Sequence, residues 1–345
     1  MIKDITIKHF RGLEEFEIKE FQQFNIFVGE NSCGKTSILE AICMCYNAEE
    51  PNYLIKIQNF RKIIVIPSNI SSIFYNFDFS KPIEFYSNYD SRKIEVKIYP
   101  KILKDFIPQE NLKQNFMLEL YINGLEFETN NDGQKSQSSF SIQSNGDVHD
   151  ITKNDKKPLL LALYLPSDIE NWGLKYSIDT IRKEKKSDKL IHYLRLFDER
   201  ILDIETLENN VLVNLEGIDK LININFLGEG FKKYTSILAL MLTVNQWHTR
   251  FCICVDEIEN GLHFSSMKKL LNSIKELSKE FDFQFFFTTH SLEFLDIARN
   301  ILNDKSKIFK IVSTKKGTKA YPYSQEGEAY FTIDRIDPRG NNDEY

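Results

Sequence analysis

The apolar run Phe24–Val28 is followed at once by Gly29-Glu-Asn-Ser-Cys-Gly34-Lys35-Thr36, which fits the pattern G-x-x-x-x-G-K-[ST]. Few other patterns restrict a chain so strongly. A loop that wraps a phosphate turns its backbone N–H groups inward, and glycine reaches the conformations this requires without steric cost. After the loop, Ile38, Ala41, Ile42 and Cys45 recur at helical spacing. A helix opening there turns its positive end toward the anion. The strand–loop–helix context predicts a nucleotide cradle made by Gly29, Asn31, Ser32, Cys33, Gly34, Lys35, Thr36 and Ser37. In it Lys35 extends to the β- and γ-phosphates, and Thr36 offers its hydroxyl to Mg²⁺. ATP and Mg²⁺ are therefore the expected nucleotide and metal.

A second apolar run, residues 251–255, ends in Asp256-Glu257. P-loop proteins place a metal-organising carboxylate at the end of such a strand, which assigns Asp256 to Mg²⁺. Glu257 is then placed to hold and deprotonate a water in line with the γ-phosphate. The run Phe285-Phe-Phe-Thr-Thr-His290 repeats this form 33 positions after Glu257, and puts His290 at a strand tip where it can sense the γ-phosphate. The expected catalytic set is Glu257, Lys35 and His290.

The rest of the chain reads as α/β. The first residues alternate toward a short hairpin, and residues 50–155 read as an antiparallel meander in which 130–138 form a mobile loop. Strands are expected at 93–99 and 116–128. Residues 159–165 read as a strand and 179–207 as charged and helical. Short strands follow at 211–215 and 222–226, then a helix at 231–246. Strand and helix alternate to about residue 302, which implies parallel βαβ units, and a hairpin at 308–323 follows. The expected parts are 1–48 (core with the P-loop), 49–157 (β-rich insertion), 158–220 (helical link), 221–323 (second part of the core) and 324–345 (tail).

A net charge of −6 argues against a protein dominated by a nucleic-acid-binding face. The five cysteines lack zinc-site spacing and suit a reducing cytosol. Apolar runs fall short of the roughly 20 residues of a membrane helix, so a cytoplasmic protein without membrane contact is expected.

Together these residues resemble the ABC-type ATPase heads of the RecF/SMC and OLD-like group, and the small bacterial AAA-type ATPases found beside phage-defence nucleases. The resemblance covers residues 2–45, with Phe10-Arg11-Gly12, and residues 223–295. It implies an ABC-ATPase-like P-loop fold, with a mixed and parallel sheet flanked by helices and a β-rich insertion. It also makes Leu227-Gly-Glu-Gly-Phe231 a signature loop, whose Gly228 and Gly230 cap the nucleotide of an opposite protomer. In the best-known signature a serine stands where this chain has Gly228. Arg11 matches an arginine near the nucleotide, and residues 259–263 fall in a segment that connects two ATP sites. The implied assembly is a homodimer or higher even oligomer closing around ATP. Its implied task is to regulate a separately encoded effector, a Toprim-type nuclease of phage defence, since the chain is too short for a fused nuclease. The alternative is an ATP-controlled DNA clamp of the RecF kind, with DNA as partner through Arg182, Lys183, Lys185 and Lys186. A transporter subunit fits poorly, because a long insertion replaces the short helical segment.

Overall fold

The computed structural model describes residues 1–102, 122–143, 145–153, 159–168, 171–244 and 250–322. The central element is a six-stranded sheet. Five of its strands, β3 (Phe24–Val28), β9 (Leu160–Leu165), β13 (Arg250–Val255), β14 (Phe283–Thr288) and β15 (Ser306–Thr314), are parallel neighbours in the order β15-β3-β14-β13-β9, with β9 at one edge. An edge strand, β16 (Gly317–Pro322), pairs antiparallel with β15. Both faces are covered, which is why β9, β13 and β14 read as largely apolar runs. In β14 the side chains still divide by period two: Phe283, Phe285 and Phe287 enter one core, and Phe286 the other.

One face of this sheet packs on α3 (Asn171–Lys183), α4 (Ser187–Phe197), α5 (Glu229–Val244), α6 (Phe264–Glu280) and α7 (Leu292–Leu302). The other face meets α1 (Lys35–Tyr46), whose far side lies under a seven-stranded antiparallel sheet. That sheet runs β2 (Leu13–Lys19), β1 (Asp4–Phe10), β4 (Ile83–Tyr89), β5 (Arg92–Ile102), β6 (Ile122–Asn131), β7 (Gln134–Ile142) and β8 (Val148–Thr152). The first hairpin thus joins the meander's sheet, with Ile7 opposite Phe85. Helix α1 is buried almost all round because a sheet lies on either side. Two short elements complete the frame: α2 (Tyr53–Phe60), and a small sheet of β10 (Ile201–Leu207), β11 (Asn210–Leu215) and β12 (Ile222–Asn223).

Three segments differ from expectation. Residues 130–138 are not a mobile loop but the tip of the β6–β7 hairpin. Asp132 (φ 52°) and Gly133 (φ 89°) make its two-residue turn. Their neighbours are polar because Thr129 and Ser136 donate to the buried carboxylate of Glu49, at 3.0 and 2.9 Å. Residues 201–207 are a strand rather than helix. A bulge between Ile201 and Asp203 breaks the two-residue period and leaves Ile201 and Ile204 buried three apart, a helical spacing. The strand expected at 222–226 stops after Asn223, whose side chain accepts from the Asn225 N–H (3.0 Å) and starts a 3₁₀ turn. Expectations on residues 116–121, 245–246 and 323–345 lie outside the described residues. Among the described residues no helix is long and apolar enough to cross a membrane.

Candidate nucleotide site

Strands β3, β14 and β13 lie side by side and parallel, so their carboxyl ends open on one crevice, the usual place for a ligand in such sheets. A cleft of about 390 Å³ lies there, and its lining includes residues 31–37, Asp256, Glu257, Thr288 and His290. The phosphate loop, the acidic pair and the histidine come from three strands and share one space.

The loop's shape follows from its glycines. A Cβ on Gly29 would stand 2.3 Å from the Ile311 carbonyl oxygen, so no larger residue fits against β15. Gly34 caps α1 at φ 101°, a left-handed conformation that disfavours a side chain. Lys35 donates to the carbonyls of Gly29 (2.8 Å) and Glu30 (2.7 Å), and burial lowers its pKa. The Ser291 side chain caps α7 by accepting from the Phe294 N–H (3.1 Å), and His290 directly precedes that cap. The His290 N–H in turn donates to Glu259 Oε1 (2.6 Å).

Asp256 receives three hydroxyls. Thr36 donates to both oxygens (3.2 and 3.0 Å), Tyr164 to Oδ2 (3.2 Å) and Thr288 to Oδ1 (2.5 Å). Burial, then the charges of Asp256 and Glu40, push the Tyr164 phenol well above its ordinary pKa, so it remains a donor. Glu257 sits at φ 45°, with its N–H on Thr288 Oγ1 (2.7 Å). Beneath the pair, Lys233 of α5 donates to the carbonyls of Asp256 (3.1 Å) and Glu257. Burial pulls the Lys233 ammonium down to about 8, against the opposing pull of Glu259, Asp256 and Glu257.

The donor set suits magnesium. Thr36 Oγ1 and Asp256 Oδ2 stand 3.0 Å apart. Two adjacent oxygens on an octahedral magnesium, each about 2.1 Å from it, lie about 3.0 Å apart, and this hard cation takes hydroxyl and carboxylate oxygens.

Four residues singled out in the sequence do not line the cleft; one is Gly29, which is pressed against β15 at the base of the loop. Arg11 points its guanidinium at Glu40, with Nε 2.7 Å from Oε2, and donates to Gln58 (3.0 Å). Gly228 lies away from its own chain's cleft, with open space where a side chain would go. Gly230 presses on the loop after Glu257, where a Cβ would stand 2.1 Å from the Gly261 carbonyl oxygen. Sequence reasoning missed Arg61, Tyr164, Thr288 and Lys233. Arg61 lines the cleft and holds the fully buried Glu40 bidentately (2.6 and 3.1 Å). Thr288 was legible, since it ends an apolar strand beside His290. Arg61 and Tyr164 carry no local signal, because only the tertiary fold brings Arg61 to the cleft and the Tyr164 hydroxyl to Asp256.

A family model described as "AAA domain, putative AbiEii toxin, Type IV TA system" matches residues 24–296. The chain is 28% identical over 337 residues to an ATP/GTP phosphatase of Helicobacter pylori, covering 88% of this chain and 89% of that one. Similarity to the DNA replication and repair protein RecF of Streptococcus gordonii is confined to 41 residues, 49% identical, or 12% of this chain and 11% of that one. Two solved structures share the fold. One is an Smc head with an extended coiled coil bound to the C-terminal domain of ScpA, derived from Pyrococcus furiosus (TM-score 0.51, 12% identity, 95% of this chain and 97% of that one). The other is an SmcHead bound to the C-winged helix domain of ScpA (TM-score 0.50, 16% identity, 96% and 99%).

Proposed function

Given that the chain belongs to the AAA domain family of the putative AbiEii toxins and is an ATP-hydrolysing enzyme of ABC type, we propose that it hydrolyses Mg²⁺-ATP between two copies of itself. The closed pair then regulates a separately encoded effector, a nuclease of phage defence. The observation that carries the hydrolytic part is the meeting of Thr36 with Asp256 at 3.0 Å, with Glu257 and His290 in the same cleft.

The chemistry follows from this chain's residues. Loop amides from Gly29 to Thr36 and the Lys35 ammonium bind the triphosphate and hold its terminal group at the carboxyl ends of β3 and β13. Glu257 orients a water and accepts its proton as the oxygen attacks the γ-phosphorus, while the bond from that phosphorus to the β–γ bridging oxygen breaks and the oxygen leaves with ADP. Tyr164 and Thr288 fix the carboxylate of Asp256, which with Thr36 would hold the metal. Magnesium, when bound, supplies positive charge against the charge that develops on the phosphoryl oxygens. His290 faces the same space and reads whether the γ-phosphate is present.

Closure by a second copy is supported by Gly228 and Glu229, which stand exposed outside their own cleft, whereas Gly230 is buried against the loop at Gly261. The effector is supported by the sequence resemblance. The DNA-clamp alternative rests on two basic groups, residues 182–186 and Lys315, Lys316 and Lys319; in the first, Arg182 contacts Asp203 (3.5 Å) and Lys186 contacts Glu184 (3.7 Å).

The test is the mass of the Glu257→Gln protein in solution, with and without Mg²⁺-ATP. A dimer that forms only with ATP, and that co-purifies at fixed ratio with the product of a neighbouring gene, is expected. A monomer under both conditions contradicts closure. A salt-sensitive shift of duplex DNA that strengthens with ATP would favour the clamp.

A further inference from the structure

Behind Tyr164, away from the phosphate loop, lies a second cavity of about 370 Å³. Its walls come from four elements: Tyr53 and Phe60 of α2, Leu163 and Tyr164 of β9, Leu174 of α3 and Leu240 of α5. The volume falls in the range of small-molecule sites. Four of the hydroxyls in its lining already have partners, that of Tyr164 on Asp256 among them. Tyr53 donates to the Ala162 carbonyl (2.9 Å), Ser236 to that of Lys232 (2.8 Å) and Thr243 to that of Ala239 (2.8 Å). Water therefore gains little there, and an apolar occupant gains most. At the rim stands the exposed Lys56, its ammonium 5.9 Å from the centre of the Tyr53 ring. Among the described residues no carboxylate pairs with it.

We propose that this cavity binds a small amphipathic carboxylate, with its apolar body against Phe60, Tyr164 and Leu240 and its anionic head on Lys56, and that occupancy tunes ATP hydrolysis through Tyr164. The second half rests on the hydrolytic reading above. Tyr164 is the shared wall: its ring faces the cavity while its hydroxyl donates to Asp256 Oδ2 (3.2 Å). Phe60 packs on that ring at 5.7 Å between centroids, and the next residue, Arg61, lines the nucleotide cleft. A ligand that shifts either aromatic ring moves a group that sets the nucleotide site.

The experiment titrates the full chain with decanoate, octanoate and the neutral decanol by calorimetry, and measures phosphate release with and without decanoate. One saturable decanoate site per chain is expected, with octanoate roughly tenfold weaker for its two missing methylenes. Lys56→Met should weaken decanoate by up to about fivefold and leave decanol unchanged. Two cavity-filling variants, Leu240→Trp and Leu163→Phe, should lose decanoate while melting as one cooperative unit. In Tyr164→Phe, decanoate should still bind but no longer change the rate. Absent saturation, or binding untouched in both filled variants, overturns the site. Saturable binding without any change in rate overturns the regulatory half. A wild-type chain that binds decanoate but releases no phosphate in its absence contradicts the hydrolytic reading and leaves the site standing.

Discussion

At the scale of single residues, the nucleotide site depends on how Asp256 is held. Its carboxylate takes hydroxyl donors from the phosphate-loop helix, from β9 and from β14. Thr288 has a double duty, because its oxygen also accepts the Glu257 N–H. Thr288→Val removes both contacts at nearly constant volume. If about 1.4–2.7 kcal/mol of that loss, within the range for one unpaired buried polar group, reaches the transition state, steady-state kcat falls by roughly ten- to a hundredfold. The nucleotide dissociation constant should change much less. An unchanged kcat would mean that Asp256 and Glu257 hold their positions without this strand tip. The acid pair and the phosphate loop were legible because each is a short run with its own chemical pattern. Tyr164, Arg61 and Lys233 were not, because a lone tyrosine, arginine or lysine is ordinary until folding sets it beside a carboxylate or a strand end.

At the scale of elements, two contacts join pieces that the chain keeps far apart. Helix α1 carries Glu40 into full burial between two sheets, and the side chain is matched there by Arg11 from the first hairpin and Arg61 from beyond α2. Glu40→Ala leaves those two cations without their anion, and removing one partner of a buried ion pair costs about 3–5 kcal/mol. Denaturant unfolding should show a loss of that size, whereas an exposed pair would move by under about 1 kcal/mol.

The second contact is the approach of Gly230, at the start of α5, to the loop at Gly261. Gly230→Ala forces that helix off the loop and should cost about 1–3 kcal/mol as overpacking does, with a fall in ATPase rate. Gly173→Ala is the contrast: it lies in α3 with nothing within 4 Å of an added Cβ. That substitution should be neutral or stabilising by up to about 1 kcal/mol. Equal melting temperatures for the two variants would argue against a close α5–loop contact. The sequence suggests a close backbone approach at the Gly228–Gly230 pair, but not that Gly230's neighbour is a loop 31 positions away. Two of the misread segments show partners overriding local periodicity, and the third, at 222–226, is ended locally by the Asn223 side chain on the Asn225 N–H. A bulge gave β10 a helical spacing, and a buried Glu49 gave the β6–β7 hairpin its polar composition.

At the scale of the whole molecule, the chain is an ABC-type P-loop ATPase whose parallel sheet gathers three strand ends into one crevice. The alternation of strand and helix after residue 250 made that sheet legible, since right-handed parallel units leave little choice of layout. The pairing of the first hairpin with the later meander was not legible, because Ile7 and Phe85 meet across a sequence gap that no local pattern spans. Everything functional depends on Glu257 acting on a water beside a triphosphate held by Gly29–Thr36. The direct measurement is phosphate release by the wild-type and Glu257→Gln proteins, alongside their affinities for Mg²⁺-ATP. Loss of a general base costs about 10²–10⁴-fold. The variant is therefore expected to bind ATP within a few-fold of wild type and to hydrolyse it at least about a hundredfold more slowly. Hydrolysis by Glu257→Gln at the parental rate would contradict the assignment.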